Sequence, residues 1–257
     1  IKAAPKALLL GGSITLTKFI VAVLLGFGVE RLFGADGIFG LSAVAIIAAM
    51  SNTNGGLYAA LAGQFGSQQD VGATPLMSLS DGPILTMIAL GAAGMANIPF
   101  MLIVAAIIPM AVGMLLGNLD GNMRDFLSKG GPILIPFFAF ALGASIDLAM
   151  LIKGGIAGIL LGVLTTAIGG FFNIKVDRLI GGTGIAGAAA SSTAGNAVAT
   201  PLAIAQADPS LAEVAAAATP LVAASVITTA LLTPMLTSWV AKSNAKALAA
   251  AEPNNSN

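Results

Sequence analysis

Two segments of this chain, Ser51 to Ala62 (SNTNGGLYAALA) and Ser191 to Leu202 (SSTAGNAVATPL), drive hydroxyls, amides and glycine into the middle of apolar stretches long enough to cross a bilayer. Each follows paired alanines, Ala48-Ala49 and Ala188-Ala189, so the shared core reads A-A-x-S-x-T-x-G at an offset of 140 residues. Each is then followed by Ala-Thr-Pro-Leu, at Ala73 to Leu76 and at Ala218 to Leu221. In hydrocarbon every backbone N–H and C=O must be paired, so a spanning chain is helical and departs from helix only against protein or a water-filled cavity. A matched pair of Gly-containing interruptions in the two halves of a membrane protein points to a transporter with its binding site near the bilayer midplane.

Apolar residues make up 57% of the chain and charged ones 9%, a balance that no soluble domain of 257 residues carries on its surface. The chain therefore reads as an integral protein of the lipid bilayer. Cysteine and histidine are both absent, which excludes disulfides, thiolate chemistry, imidazole metal ligands and a histidine switch. No cofactor or metal is expected, and proton chemistry falls to carboxylates, Lys18 or water. A net charge of zero without a basic run excludes nucleic acid as a partner. The chain opens at Ile1 without a basic n-region, so no signal peptide is read there, and a truncated N-terminus is expected.

A helix needs about 20 mostly apolar residues to cross the hydrocarbon core. Spans are expected near 7–29, 38–64, 72–93, 98–117, 131–150, 154–173, 183–206 and 214–240, the second and seventh each divisible into two half-helices. With alternating crossings, Lys2, Lys6, Arg124, Lys129, Lys175, Arg178, Lys242 and Lys246 fall on one face, and Arg31 and Lys153 on the other. The richer face is cytoplasmic by the positive-inside rule, which places the C-terminal end there. Two spans precede 154–173 in the second half and have no counterpart before 7–29. The expected fold is thus an all-α polytopic membrane protein, an inverted repeat of five plus five helices with the first two missing. Residues 1–97 are the first, truncated repeat, 98–246 the second, and 247–257 a disordered polar tail.

Asn52, Asn54, Gly55 and Gly56 in one copy, and Gly195 and Asn196 in the other, are the residues expected to unwind the helices, because glycine and asparagine tolerate left-handed backbone. Together with Thr53, Ser191, Ser192 and Thr193 they form the candidate substrate site. Two half-helix N-termini there suit a carboxylate, and two carbonyl-rich C-termini suit a cation or sugar hydroxyls. The plainer reading is a pair of Gly-kinked helices whose hydroxyls bond the preceding turn.

Three charged residues fall inside spans. Lys18 lies deep in the first, where a charge costs at least about 3 kcal/mol on insertion scales, and either holds a substrate carboxylate or forms a structural pair. Asp81, beside Ser78, Ser80 and Gly82-Pro83, is the first candidate for proton coupling. Asp147 closes a span before Lys153 and reads equally as an interfacial residue or as a second coupling carboxylate. The remaining charges read as loop residues.

The stretches S-N-T-N-G-G-L-Y, M-S-L-S-D-G-P-I-L-T-M-I and I-P-F-F-A-F-A-L-G-A-S-I-D-L, in that order, closely resemble the 2-keto-3-deoxygluconate permease family. The resemblance covers nearly the whole chain. It implies a proton-coupled importer of an acidic sugar from pectin breakdown, in the bacterial inner membrane. It further implies an architecture similar to the bile-acid:sodium symporters, with ten helices of which the fourth and ninth are broken and crossed. The family often carries glutamate where this chain has Asp81. The alternative within transport is sodium-coupled symport of another small organic anion. An intramembrane hydrolase is disfavoured by the missing histidine, and a channel by the inequivalence of the two breaks.

Overall fold

The computed structural model describes residues 4–80, 83–92, 94, 96, 100–127, 129, 130, 133, 137, 140 and 148–251. Among them the chain is helical and forms no β-strand. The first helix, α1 (Ala4–Phe33), stops at Gly34, whose φ of +82° only glycine adopts readily and whose N–H closes on Glu30 O at 2.8 Å. Next come α2 (Ala43–Met50), α3 (Gly55–Phe65), α4 (Gln68–Gly72), α5 (Thr74–Leu79), α6 (Ile84–Ala92) and α7 (Phe100–Leu119). The second half holds α8 (Leu148–Leu164), a π-helical turn (Thr165–Gly169), α9 (Gly170–Leu179), α10 (Ile185–Ala189), a 3-10 turn (Gly195–Ala199), α11 (Thr200–Ala207) and α12 (Ala212–Ala251).

Three helices among the described residues are long and apolar enough to cross a membrane: Pro5–Phe33, Ile152–Leu179 and Pro209–Ala250. Their outer faces carry exposed leucine, isoleucine and phenylalanine, on α1 at Leu9, Leu16, Ile20, Leu24 and Phe27, as a lipid-facing helix requires. The opposite face of α1 steps inward at Leu10, Ile14, Lys18 and Ala22, four residues apart, so Lys18 shares the buried stripe.

The expected span 38–64 is two half-helices, α2 and α3, and the expected span 183–206 is α10 and α11, with the polar motif between each pair. Every residue of α2 and of α10 is buried; alanine dominates both, which lets the surrounding helices approach closely. The expected span 131–150 lies mostly outside the described residues. Ala73–Leu76 starts α5, whereas Ala218–Leu221 sits inside α12, so the repeated tetrapeptide takes two different local roles. The helix α12 runs on through Ala251, into the segment expected to be a disordered tail, because Ala247, Leu248, Ala249, Ala250 and Ala251 are strong helix formers.

Among the described residues α8 packs tightly against α12. A Cβ at Gly154, Gly158 or Gly162 would stand 2.5 Å from Pro220 O, Ala224 Cβ and Thr228 Cβ respectively. Four-residue spacing of glycine makes a flat stripe on which a second helix lies, the usual route to tight packing in lipid. Gly155, with φ +54°, kinks α8 beside this contact. The arrangement positions one face of α12 along the second polar break.

Candidate functional site

The two polar motifs meet. Asn52 sends Nδ2 to Ala48 O at 2.8 Å and receives the Ala194 N–H on Oδ1 at 3.1 Å. In return, Ser192 Oγ receives the Asn54 N–H at 3.2 Å, and Thr53 Oγ1 donates to Ala190 O at 3.5 Å. The first two cross-bonds are reciprocal under the sequence repeat: position 52 corresponds to 192, and 54 to 194. Exchanging the two motifs maps one bond onto the other, which is how a two-fold axis relates contacts. Each break thus satisfies backbone N–H groups that the other has removed from its helix.

Neither break depends on left-handed backbone. Among the described residues the positive-φ positions are Phe39 and seven glycines, none of them in either motif. Gly55 and Gly56 instead open α3 after the cap Asn54, whose Oδ1 accepts from Leu57 N at 2.9 Å. Gly55 serves close approach, since a Cβ there would lie 2.7 Å from Ser78 Oγ and 3.2 Å from Ser78 Cα. This corrects the expectation that these residues unwind the helix through their own φ angles.

The second break is held from outside. The Lys18 ammonium, on the inward face of α1, donates to Ala190 O at 2.6 Å and Ser192 O at 2.8 Å. From α12, Ser225 Oγ pairs with Thr193 Oγ1 at 2.8 Å, Thr229 Oγ1 accepts from Thr193 N at 3.0 Å, and Thr233 Oγ1 donates to Ser191 O at 3.0 Å. Asn173 Nδ2 donates to Ser191 Oγ at 3.4 Å. The π turn before it brings Gly170 within a Cβ contact of 3.3 Å from the same hydroxyl oxygen; π turns recur at such sites because they re-aim a helix face. The first break draws less on its neighbours, with Ser51 Oγ to Thr86 Oγ1 at 2.9 Å.

Three polar atoms beside the second break are buried without a hydrogen-bond partner among the described residues, Asn173 Oδ1, Asn196 Oδ1 and Thr200 Oγ1. A groove of about 680 Å³ lies elsewhere, lined by Phe171, Lys175, Met235, Leu236 and Trp239 among others; its apolar walls are those of a lipid-facing crevice. Of the residues expected from sequence, Asn52, Thr53, Asn54, Gly55, Ser191, Ser192, Thr193 and Lys18 come together at the crossing, and Gly195 and Asn196 continue from it into the 3-10 turn. Asp81 and Asp147 lie outside the described residues.

Several contributors are not marked by any motif in the sequence. Ser225, Thr229 and Thr233 step four apart along α12 and are wholly buried, a polar stripe that the spacing alone would have revealed. Asp70 and Asp177, read as loop charges, are buried. Asp70 closes a capping box on Ser67, and its backbone oxygen accepts from Tyr58 Oη at 2.8 Å. Asp177 Oδ2 accepts the Gly187 N–H at 2.9 Å and so caps the start of α10. Nothing local distinguishes Asp177 from its exposed neighbour Arg178, because the partner that buries it is ten residues away across a turn.

The model of the 2-keto-3-deoxygluconate permease family matches residues 1–246. A protein named 2-keto-3-deoxygluconate permease 1 in Salmonella typhimurium is 77% identical over 246 residues, covering 96% of this chain and 78% of that protein. A 2-keto-3-deoxygluconate permease of Enterobacter sp. (strain 638) is 50% identical over 237 residues, 90% of this chain and 72% of its own. One from Escherichia coli O9:H4 (strain HS) is 48% identical over 243 residues, 92% of this chain and 74% of its own. No solved structure matches the chain. With matches of this extent and apolar helices of membrane-crossing length, the chain belongs to the 2-keto-3-deoxygluconate permease family and is a membrane transport protein, not an enzyme.

Proposed function

We propose that the chain is a secondary active transporter that imports 2-keto-3-deoxygluconate across the bacterial inner membrane by proton symport and alternating access, with the crossing as its substrate site. The names of the relatives supply the substrate. The observation that carries the site is the group of buried side-chain oxygens beside the second break that have no partner among the described residues, Asn196 Oδ1, Thr200 Oγ1 and Asn173 Oδ1. A buried polar group without a partner costs about 1–3 kcal/mol, which the hydroxyls of a bound sugar acid offset. The amides that open α3 at Gly55 and Gly56 face a carboxylate favourably, as helix N-termini do.

The reciprocal bonds of positions 52 and 194, and 192 and 54, support an inverted repeat in which the two breaks are related by a two-fold axis in the membrane plane. Rocking of one part against another about such an axis exposes the crossing to each side in turn. Asp81 is the proposed carrier of the coupling proton and Asp147 the second candidate; the C-terminal end faces the cytoplasm. In proteoliposomes containing the protein, labelled 2-keto-3-deoxygluconate is expected to accumulate when a proton gradient, acidic outside, is imposed alone. Accumulation driven only by a sodium gradient overturns the coupling, and the absence of saturable uptake under either gradient overturns the substrate.

A further inference from the structure

Unwound backbone at the C-terminal end of a half-helix offers carbonyl oxygens that transporters use to coordinate sodium. The second break presents such carbonyls at Ala190 and Ser192, and both are occupied by one side chain: Lys18 Nζ stands 2.6 Å from the first and 2.8 Å from the second. The lysine is 2% exposed and belongs to a different helix, α1, so the charge is delivered from across the packing interface. A hydroxyl of the first motif reaches one of these oxygens, Thr53 Oγ1 donating to Ala190 O at 3.5 Å, while Ser192 Oγ on the same residue as the second carbonyl accepts the Asn54 N–H. Hard oxygen donors gathered around a single positive charge are the ligand set of a monovalent cation site.

We propose that the Lys18 ammonium is a tethered cation, filling a carbonyl site that would otherwise take sodium, so that transport by this chain needs no sodium at the crossing. The arrangement is one-sided. At the 140-residue offset the counterpart of Lys18 is Gly158, which packs its backbone against Leu221 and Ala224. A cation fixed by a covalent tether stays at the crossing through every cycle and is never transported. It supplies positive charge without a concentration requirement, whereas a bound metal ion occupies its site only in proportion to its concentration.

The inference rests on the crossing being the transport site, not on the identity of the sugar or the coupling ion. Lys18→Ala vacates the space and leaves the carbonyls; Lys18→Met removes the charge but keeps the space filled. Wild-type uptake is expected to be the same in sodium as in choline. The Lys18→Ala protein in choline should lose uptake by about two orders of magnitude, because two charge-assisted hydrogen bonds are gone. It should recover at least in part with sodium, lithium or ethylammonium, while Lys18→Met should not recover with any of them. Independently of substrate, sodium at constant ionic strength should raise the unfolding temperature of purified Lys18→Ala and leave the wild type unmoved. The thermal result stands even if 2-keto-3-deoxygluconate proves not to be the substrate. Sodium-dependent wild-type uptake, full activity of Lys18→Ala in choline, or failure of every small cation to act on Lys18→Ala each overturns the proposal. Its absence from the membrane whatever cation is supplied overturns it as well, since a refilled site restores the packing.

Discussion

The two breaks share a motif and yet are held in opposite ways. The first caps itself: Asn54 starts α3 through Leu57 N, Asn52 bonds back to Ala48 O, and one outside hydroxyl, Thr86, reaches Ser51. The second is supported by other helices, by Lys18 from α1, Asn173 from α9, and Ser225, Thr229 and Thr233 from α12. It also continues as a 3-10 turn that leaves Asn196 Oδ1 and Thr200 Oγ1 without partners among the described residues. A self-capped break is a rigid wall, and a break held by several helices changes whenever those helices move. On the proposed reading both breaks face the substrate, the first with the Gly55 and Gly56 amides and the second with Asn196 and Thr200, and only the second moves with the helices that hold it, a division that substitutions can break.

The largest effect is expected at the tight side. Gly55→Leu forces atoms into the 2.7 Å space against Ser78 and should abolish uptake while lowering stability by about 1–3 kcal/mol, the usual range for overpacking. Transport assays beside thermal unfolding in detergent measure both, and retained uptake would remove the crossing from the transport path. A smaller contrast separates the two kinds of support. Thr229→Val strips the acceptor from the buried Thr193 N–H and should destabilise by about 1–3 kcal/mol, whereas Thr86→Val leaves Ser51 able to bond its own helix and should cost nearer 0.5–1 kcal/mol. If Thr86→Val proves the more damaging, the comparison is reversed. The smallest structural effect belongs to Asn196→Ala. Its side-chain oxygen has no partner to lose among the described residues, so stability should change by less than about 0.5 kcal/mol. KM should nonetheless rise about tenfold, the equivalent of one hydrogen bond to substrate at roughly 1.4 kcal/mol; an unchanged KM would place the sugar elsewhere.

By itself the sequence determined that this chain is an α-helical membrane protein and placed the polar interruptions in the spans 38–64 and 183–206, but not the division of the expected span 72–93 into α5 and α6. Those facts follow from hydrocarbon's intolerance of unpaired backbone and charge, which any apolar stretch of sufficient length must obey whatever its neighbours. It also marked the polar residues of both motifs, because hydroxyls and amides in such stretches need a reason to be there. Only the tertiary structure decided what those residues bond to. Glycine at position 55 proved to be about contact with Ser78 rather than about φ, and Lys18 proved to engage the carbonyls of a motif more than 170 residues away in sequence. Asp177, indistinguishable in sequence from an interfacial charge, is buried as the cap of α10. Hydrogen bonds of that kind join helices that are neighbours in space and strangers in sequence, so no local pattern encodes them; they appear once packing has brought donor and acceptor within 3 Å or so.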